Sequence, residues 1–278
     1  MFRAVYPEAM SAAMLKVNEL CAGYGASAIK DCDDVIHNIT FNVGMGECLC
    51  VLGPNGCGKS TMLKSIAGIL DYRGSVLVDG GDISAVPRKE LARKIALLGQ
   101  NMQVFFPYTV YDTVSMGRYA WSRGVLKNLS PEDKSIINDT LKRLDLWDIK
   151  DRMIDELSGG TLQRVFLAKT MAQTPRLILL DEPANHLDLK HQIALLDYLK
   201  AWVKENGTSL IGVFHDLNLS RYFGDTAILM NEGNLAAYGP IGEILNSEIL
   251  DTVYGIDIRA FMRNSLEKWN QVSTFKRH

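Results

Sequence analysis

The run Gly53-Pro54-Asn55-Gly56-Cys57-Gly58-Lys59-Ser60-Thr61 constrains this chain more than any other stretch. A glycine, four residues and then Gly-Lys-Ser follow an apolar strand at 48–52 and lead into a helix at 60–69. The chain must turn sharply between the two. Glycines let successive backbone N–H groups converge on an anion, and the helix N-terminus adds positive potential. Lys59 is then placed to reach the β and γ phosphates of a nucleotide, and the Ser60 hydroxyl to ligate Mg²⁺. Average residue frequencies produce the bare pattern in roughly one per cent of chains this long. The strand–loop–helix setting favours a phosphate cradle over a glycine-rich turn with an exposed lysine.

A site of this kind needs carboxylates, and 176–183 supplies them. Leu177-Ile178-Leu179-Leu180 is a buried-strand pattern ending in Asp181-Glu182-Pro183. Acids there fall at the carboxyl edge of a parallel sheet, where ligands bind in such folds. Asp181 is expected to hold the Mg²⁺ shell, and Glu182 to orient or deprotonate an attacking water.

Composition agrees with an ordinary globular domain: 278 residues, 47% hydrophobic and 22% charged. Thirty basic against 32 acidic residues leave a formal net charge of −2. That balance argues against sequence-independent nucleic-acid binding, which runs on phosphate neutralisation. No apolar run approaches the roughly 18 residues that cross a bilayer, and the first residues lack the apolar block of a secretion signal. A cytosolic chain is expected. Its five cysteines form no disulfide or zinc framework. Cys48 and Cys50 alternate on a core strand, and Cys57 is expected to pack within the loop, with possible sensitivity to thiol reagents.

Short apolar runs alternate with longer periodic segments, as in an α/β protein. Strands are expected at 15–20, 39–43, 48–52, 75–78, 95–98, 177–180, 209–214 and 226–230. Short Gly/Asp turns near the N-terminus predict an antiparallel part there. Residues 101–160 read as a helical insertion. Within it Ser130-Pro131-Glu132-Asp133 is a strong helix start, with a hydroxyl cap, an early proline and acids near the positive end. Residues 1–13 read as an N-terminal extension, with Met10 and Met14 as alternative starts. Residues 14–240 form the main domain, and 241–278 a slightly basic tail whose packing the pattern does not specify.

With Leu157-Ser158-Gly159-Gly160-Thr161-Leu162-Gln163-Arg164 added, the chain resembles the ATP-binding subunits of ABC transporters over roughly 14–240. That octapeptide is similar to the family's signature motif. The resemblance implies a P-loop NTPase core, a mostly parallel sheet with helices on both faces, plus an N-terminal antiparallel β part and an inserted helical subdomain. It implies ATP as ligand, Mg²⁺ as cofactor and ATP hydrolysis as activity. Tyr24 resembles the aromatic that stacks on adenine. Gln100 resembles the Q-loop glutamine, which contacts Mg²⁺ and relays to membrane subunits. Asn185-His186-Leu187-Asp188 resembles the D-loop, and His215 the switch histidine that contacts the γ-phosphate. Ser158, Gly159, Gly160 and Thr161 are implied to cap the ATP held by another copy, so a homodimer or a paired homologous ATPase is expected. Thr161, Ala184 and Phe214 stand where the family more commonly has Gln, a hydroxyl residue and Thr. None removes a phosphate donor or a catalytic carboxylate.

The aromatic stretches 105–111 and 116–121 have a composition enriched at interfaces, set against packing inside the insertion. Residues 105–121, 181–188 and 213–219, with the tail around 244–254, resemble the iron–siderophore, haem and cobalamin import branch. The expected role is the motor of an importer for an iron chelate, working at the inner face of the cell membrane. It would act with separate integral membrane permease subunits and, indirectly, a substrate-binding protein. Another importer cargo, or a non-transport ATPase such as that of iron–sulfur cluster assembly, is the alternative.

Overall fold

The computed structural model describes residues 13–24, 34–99, 106–122, 129–185 and 187–273. The chain begins with β1 (Ala13–Gly23), β2 (Asp34–Gly44) and β3 (Cys48–Leu52), then α1 (Lys59–Ile66), β4 (Arg73–Val78) and β5 (Gly81–Asp82). α2 (Arg88–Lys94) and β6 (Ile95–Leu98) lead to the insertion, which holds α3 (Val110–Ser115) and α4 (Pro131–Arg143). α5 (Gly159–Ala172), β7 (Leu177–Asp181), α6 (Leu189–Asn206), β8 (Ser209–Val213), α7 (Leu217–Phe223), β9 (Thr226–Asn231) and β10 (Asn234–Pro240) follow. The tail forms α8 (Ile241–Leu245), α9 (Glu248–Tyr254) and α10 (Ile258–Ser273).

Two sheets result. One is antiparallel, in the order β2-β1-β4-β5; the other runs β10-β9-β3-β8-β7-β6 and is parallel apart from the β9–β10 pair. β3, β7 and β8 are buried along their whole length, as central strands covered on both faces must be. On β3, Cys48, Cys50 and Leu52 join a core with the helices of the insertion and tail, whereas Leu49 and Val51 face α1 and the antiparallel sheet. The two-residue period of one strand thus feeds two cores.

The expected strands are all present, most of them longer than the sequence pattern suggests. β10 was not anticipated. It arises because Glu232 (φ 47) and Gly233 (φ 75) make a two-residue left-handed turn that folds 234–240 back on β9. The tail is no appendage: Ile241, Ile244, Leu250 and Ile258 are buried in the core that carries the insertion helices.

The insertion is helical, and its caps follow the sequence. Ser130 and Asp133 exchange hydrogen bonds in a capping box at the start of α4, and Thr109 and Asp112 do the same for α3. The aromatic stretch divides. Phe106, Tyr108 and Tyr119 stay exposed. Arg118 instead is buried, ion-paired to Asp133 at 2.7 Å and donating to the Ala172 carbonyl at 2.9 Å. The Trp121 indole donates to the Gln173 carbonyl. Arg118 and Trp121 therefore belong to internal packing. Phe105, Gln100 and His186 lie outside the described residues.

Candidate nucleotide site

The parallel register collects the site. β3 and β7 both pair with β8, with Val51 and Asp181 each opposite Val213. The segments that follow the three strands therefore leave the sheet at one carboxyl edge: 53–58, Glu182, and Phe214-His215. Val35, Asn55, Gly56, Gly58, Lys59, Ser60, Thr61, Glu182, Asn185 and His215 line a cleft of about 510 Å³ there.

The loop has little choice of residue at two points. Gly53 has φ 140, and a Cβ on it would lie 2.3 Å from the Met230 carbonyl oxygen. Gly58 has φ 99, and a Cβ there would lie 2.5 Å from Ile36 Cγ2. Both backbone conformations belong to glycine. Gly58 is also the N-cap of α1, so the amides of the first turn open into the cleft without an acidic cap in front of them. Pro54 accepts from the Cys57 N–H at 3.4 Å, and Asn55 and Gly56 are exposed at the loop tip. Lys59 is almost fully buried; its ammonium donates to the carbonyls of Gly53 at 2.8 Å and Pro54 at 2.7 Å. An amine folded against the loop that it would leave for a phosphate is a charge held in readiness.

Cys57 is buried, with burial pushing its thiol pKa up and Lys59 acting in the opposite direction. That is the environment of a packing residue rather than of a reactive thiolate.

Asp181 ends β7 and is 6% exposed. Burial raises its pKa, while a hydrogen bond from Ser60 lowers it and the neighbouring Glu182 raises it further. Its Oδ1 is buried and has no hydrogen-bond partner. A buried carboxylate oxygen without a donor costs energy unless something supplies positive charge. With the Ser60 hydroxyl alongside, this oxygen set fits a hard divalent cation such as Mg²⁺.

Glu182 is the next residue and has φ 57, a strained value for a non-glycine residue. The strain turns its side chain from the strand toward the cleft. There Oε1 meets His215 Nε2 at 2.5 Å, and Oε2 accepts from the Asn185 amide. Asn185, which the sequence marks only as the start of the D-loop, joins the site through this contact. The turn that presents it is closed by Asn185 N–H donating to the Glu182 carbonyl.

Tyr24 is half exposed beside α1. Its hydroxyl lies 3.4 Å from both Thr61 Oγ1 and Lys64 Nζ, and the Lys64 ammonium sits 5.6 Å from its ring centroid. The ring flanks the mouth of the loop.

Ser158, Gly159, Gly160 and Thr161 do not join this cleft. Ser158 caps α5, accepting from Thr161 N–H, and the two hydroxyls are 3.0 Å apart. Gly160 packs close to Leu187: a Cβ would come within 3.1 Å of Leu187 Cδ2. Ser158, Gly160 and Thr161 border a different groove, of about 490 Å³, with Leu187 and Asp188. Within one chain the capped helix start and the loop at 53–61 line separate grooves.

Fold and site together define a nucleoside triphosphatase of the P-loop class. The ABC transporter family model matches residues 36–185. The chain belongs to that family. The ATP-binding subunits of ABC transporters are ATPases that drive transport, and this chain is one of them. It is 35% identical to the uncharacterised ABC transporter ATP-binding protein YvrA of Bacillus subtilis over 91% of its own length, spanning 56% of that longer protein. It is 34% identical to the ferric enterobactin transport ATP-binding protein FepC of Escherichia coli, over 88% of this chain and 89% of that one. A solved metal-chelate type ABC transporter in an inward-facing conformation superposes with a TM-score of 0.74 at 28% identity, over 87% of this chain and 89% of that one.

Proposed function

We propose that this chain hydrolyses Mg·ATP at the 53–61 cradle to power import of an iron chelate through separate membrane permease subunits. The carrying observation is the meeting of Lys59, Ser60, Asp181, Glu182 and His215 at one sheet edge, from three strands far apart in sequence.

The chemistry follows from position. Backbone N–H groups of 56–61 and the α1 dipole hold the phosphates. Lys59 moves from the Gly53 and Pro54 carbonyls to the β and γ phosphates. Tyr24 offers its ring to adenine. Ser60, Asp181 and Gln100 would hold Mg²⁺, which when bound neutralises charge on the phosphate oxygens. Glu182 orients and deprotonates the water, and His215 turns to the γ-phosphate. Ser158, Gly159, Gly160 and Thr161 close the site of a second copy or a homologous chain, which supports a head-to-tail ATP-bound dimer. Their place in a separate groove of the single chain supports this reading.

Among the described residues no helix is long and apolar enough to cross a membrane, so a transport role needs a partner. The exposed Phe106, Tyr108 and Tyr119 on the insertion suit a contact with permease subunits on the inner face of the membrane. Similarity to the ferric enterobactin transport protein and to the metal-chelate type transporter supports an iron-chelate cargo, which a substrate-binding protein would deliver. The test is reconstitution in vesicles with a partner permease identified by co-purification, together with its binding protein. Mg·ATP should drive accumulation of a radioiron-labelled ferric chelate. ATP hydrolysis without uptake of any ferric chelate would remove the cargo assignment and leave the motor intact.

A further inference from the structure

The end of β3 is held by a residue from the tail. The β3–β9 register runs to Leu52, and Gly53 is the next residue. Its N–H donates to the Tyr254 hydroxyl at 3.2 Å, across 201 positions of sequence. Its carbonyl accepts from Lys59 Nζ at 2.8 Å. One glycine, unable to be replaced because of Met230, is thus gripped on both sides. Tyr254 thus engages the peptide entering Gly53, and Lys59 the carbonyl leaving it.

Tyr254 is itself held firmly. It ends α9, whose Leu250 is fully buried. Asp251 accepts from Ile258 N–H at 2.9 Å and from Arg259 Nε at 3.0 Å, tying α10 back onto α9. Burial pushes the phenol pKa up, with the Gly53 hydrogen bond acting in the opposite direction. The hydroxyl is therefore a neutral acceptor that brings no negative charge toward the phosphates.

We propose that Tyr254 is a positioning residue for nucleotide binding, through which the C-terminal helices set the geometry of the phosphate loop. Its hydrogen bond goes to Gly53 at the entry of the loop, so it acts on affinity for the triphosphate and not on cleavage. The inference rests on the 53–61 cradle reading.

The experiment compares Tyr254→Phe with Tyr238→Phe and Lys59→Ala in the full chain, by Mg·ATP binding, steady-state phosphate release and thermal melting. Tyr238 is the matched control, because its hydroxyl donates to the Asn42 carbonyl at 2.7 Å, outside the loop. Loss of one hydrogen bond predicts that Tyr254→Phe raises the ATP Kd and KM roughly 2- to 10-fold, with kcat within about two-fold. Tyr238→Phe should leave KM unchanged. If Tyr254→Phe leaves Kd and KM unchanged while Lys59→Ala weakens binding, the Tyr254 role is wrong and the cradle stands. A parallel loss of kcat and melting temperature without a KM change would also overturn it, as a purely structural effect. Unchanged affinity in Lys59→Ala would overturn the cradle reading itself.

Discussion

His215 Nε2 lies 2.5 Å from Glu182 Oε1, so a histidine from the end of β8 is hydrogen-bonded to an acid from the end of β7. The Asn185 amide occupies the other carboxylate oxygen. Each oxygen of the expected general base is thus engaged by a neighbouring side chain in this arrangement. A free lone pair on either oxygen can still take a water, and a bound γ-phosphate is the group that would draw His215 away.

Glu182→Gln should therefore bind ATP with near-normal affinity and lose hydrolysis by about 10²-fold or more, the range of general-base losses. Phosphate release measures the loss, and size-exclusion chromatography with Mg·ATP should show an accumulated dimer. Normal turnover would exclude Glu182 as the base.

Lys59→Ala should weaken ATP binding and also lower the melting temperature without nucleotide. The second effect follows because the Gly53 and Pro54 carbonyls lose their charged donor. Equilibrium titration with a fluorescent ATP analogue and a thermal melt read the two separately.

Gly58→Ala should disable the loop from the backbone side. A methyl 2.5 Å from Ile36 Cγ2, at φ 99, forces either Ile36 or the loop to move. Expected are ATP affinity reduced at least tenfold and destabilisation of about 1–3 kcal/mol, measured by titration and urea unfolding.

Arg118→Met tests the insertion. It leaves Asp133 buried without its guanidinium, and breaking a buried pair from one side costs about 3–5 kcal/mol. The pH dependence has a definite sign. Burial raises the Asp133 pKa, but the Ser130 and Arg118 hydrogen bonds outweigh it and hold the carboxyl below its ordinary value of 3.8. A depressed carboxylate pKa contributes stability that is present above 3.8 and lost as pH falls through the lower folded value. Urea midpoints should drop along that acid limb in the wild type and less steeply in Asp133→Asn.

What the sequence by itself determined was local. The cradle at 53–61, the Asp181-Glu182 strand end, and the cap at Ser130 depend on residues within a few positions of one another. Glycine torsions, short hydroxyl caps and apolar runs leave marks at that range. β10 left a weaker mark: its turn needs only Glu232-Gly233, yet 234–240 has no alternation and becomes a strand by pairing with β9. Tertiary structure alone decided the rest. Parallel register brought His215 to Glu182, and burial stripped Asp181 Oδ1 of a donor. Packing drew Arg118 inward, and the folded tail placed Tyr254 against Gly53. Those relations join residues 15 to 201 positions apart. They are set by which surfaces exclude water together, a property that no single stretch of chain carries.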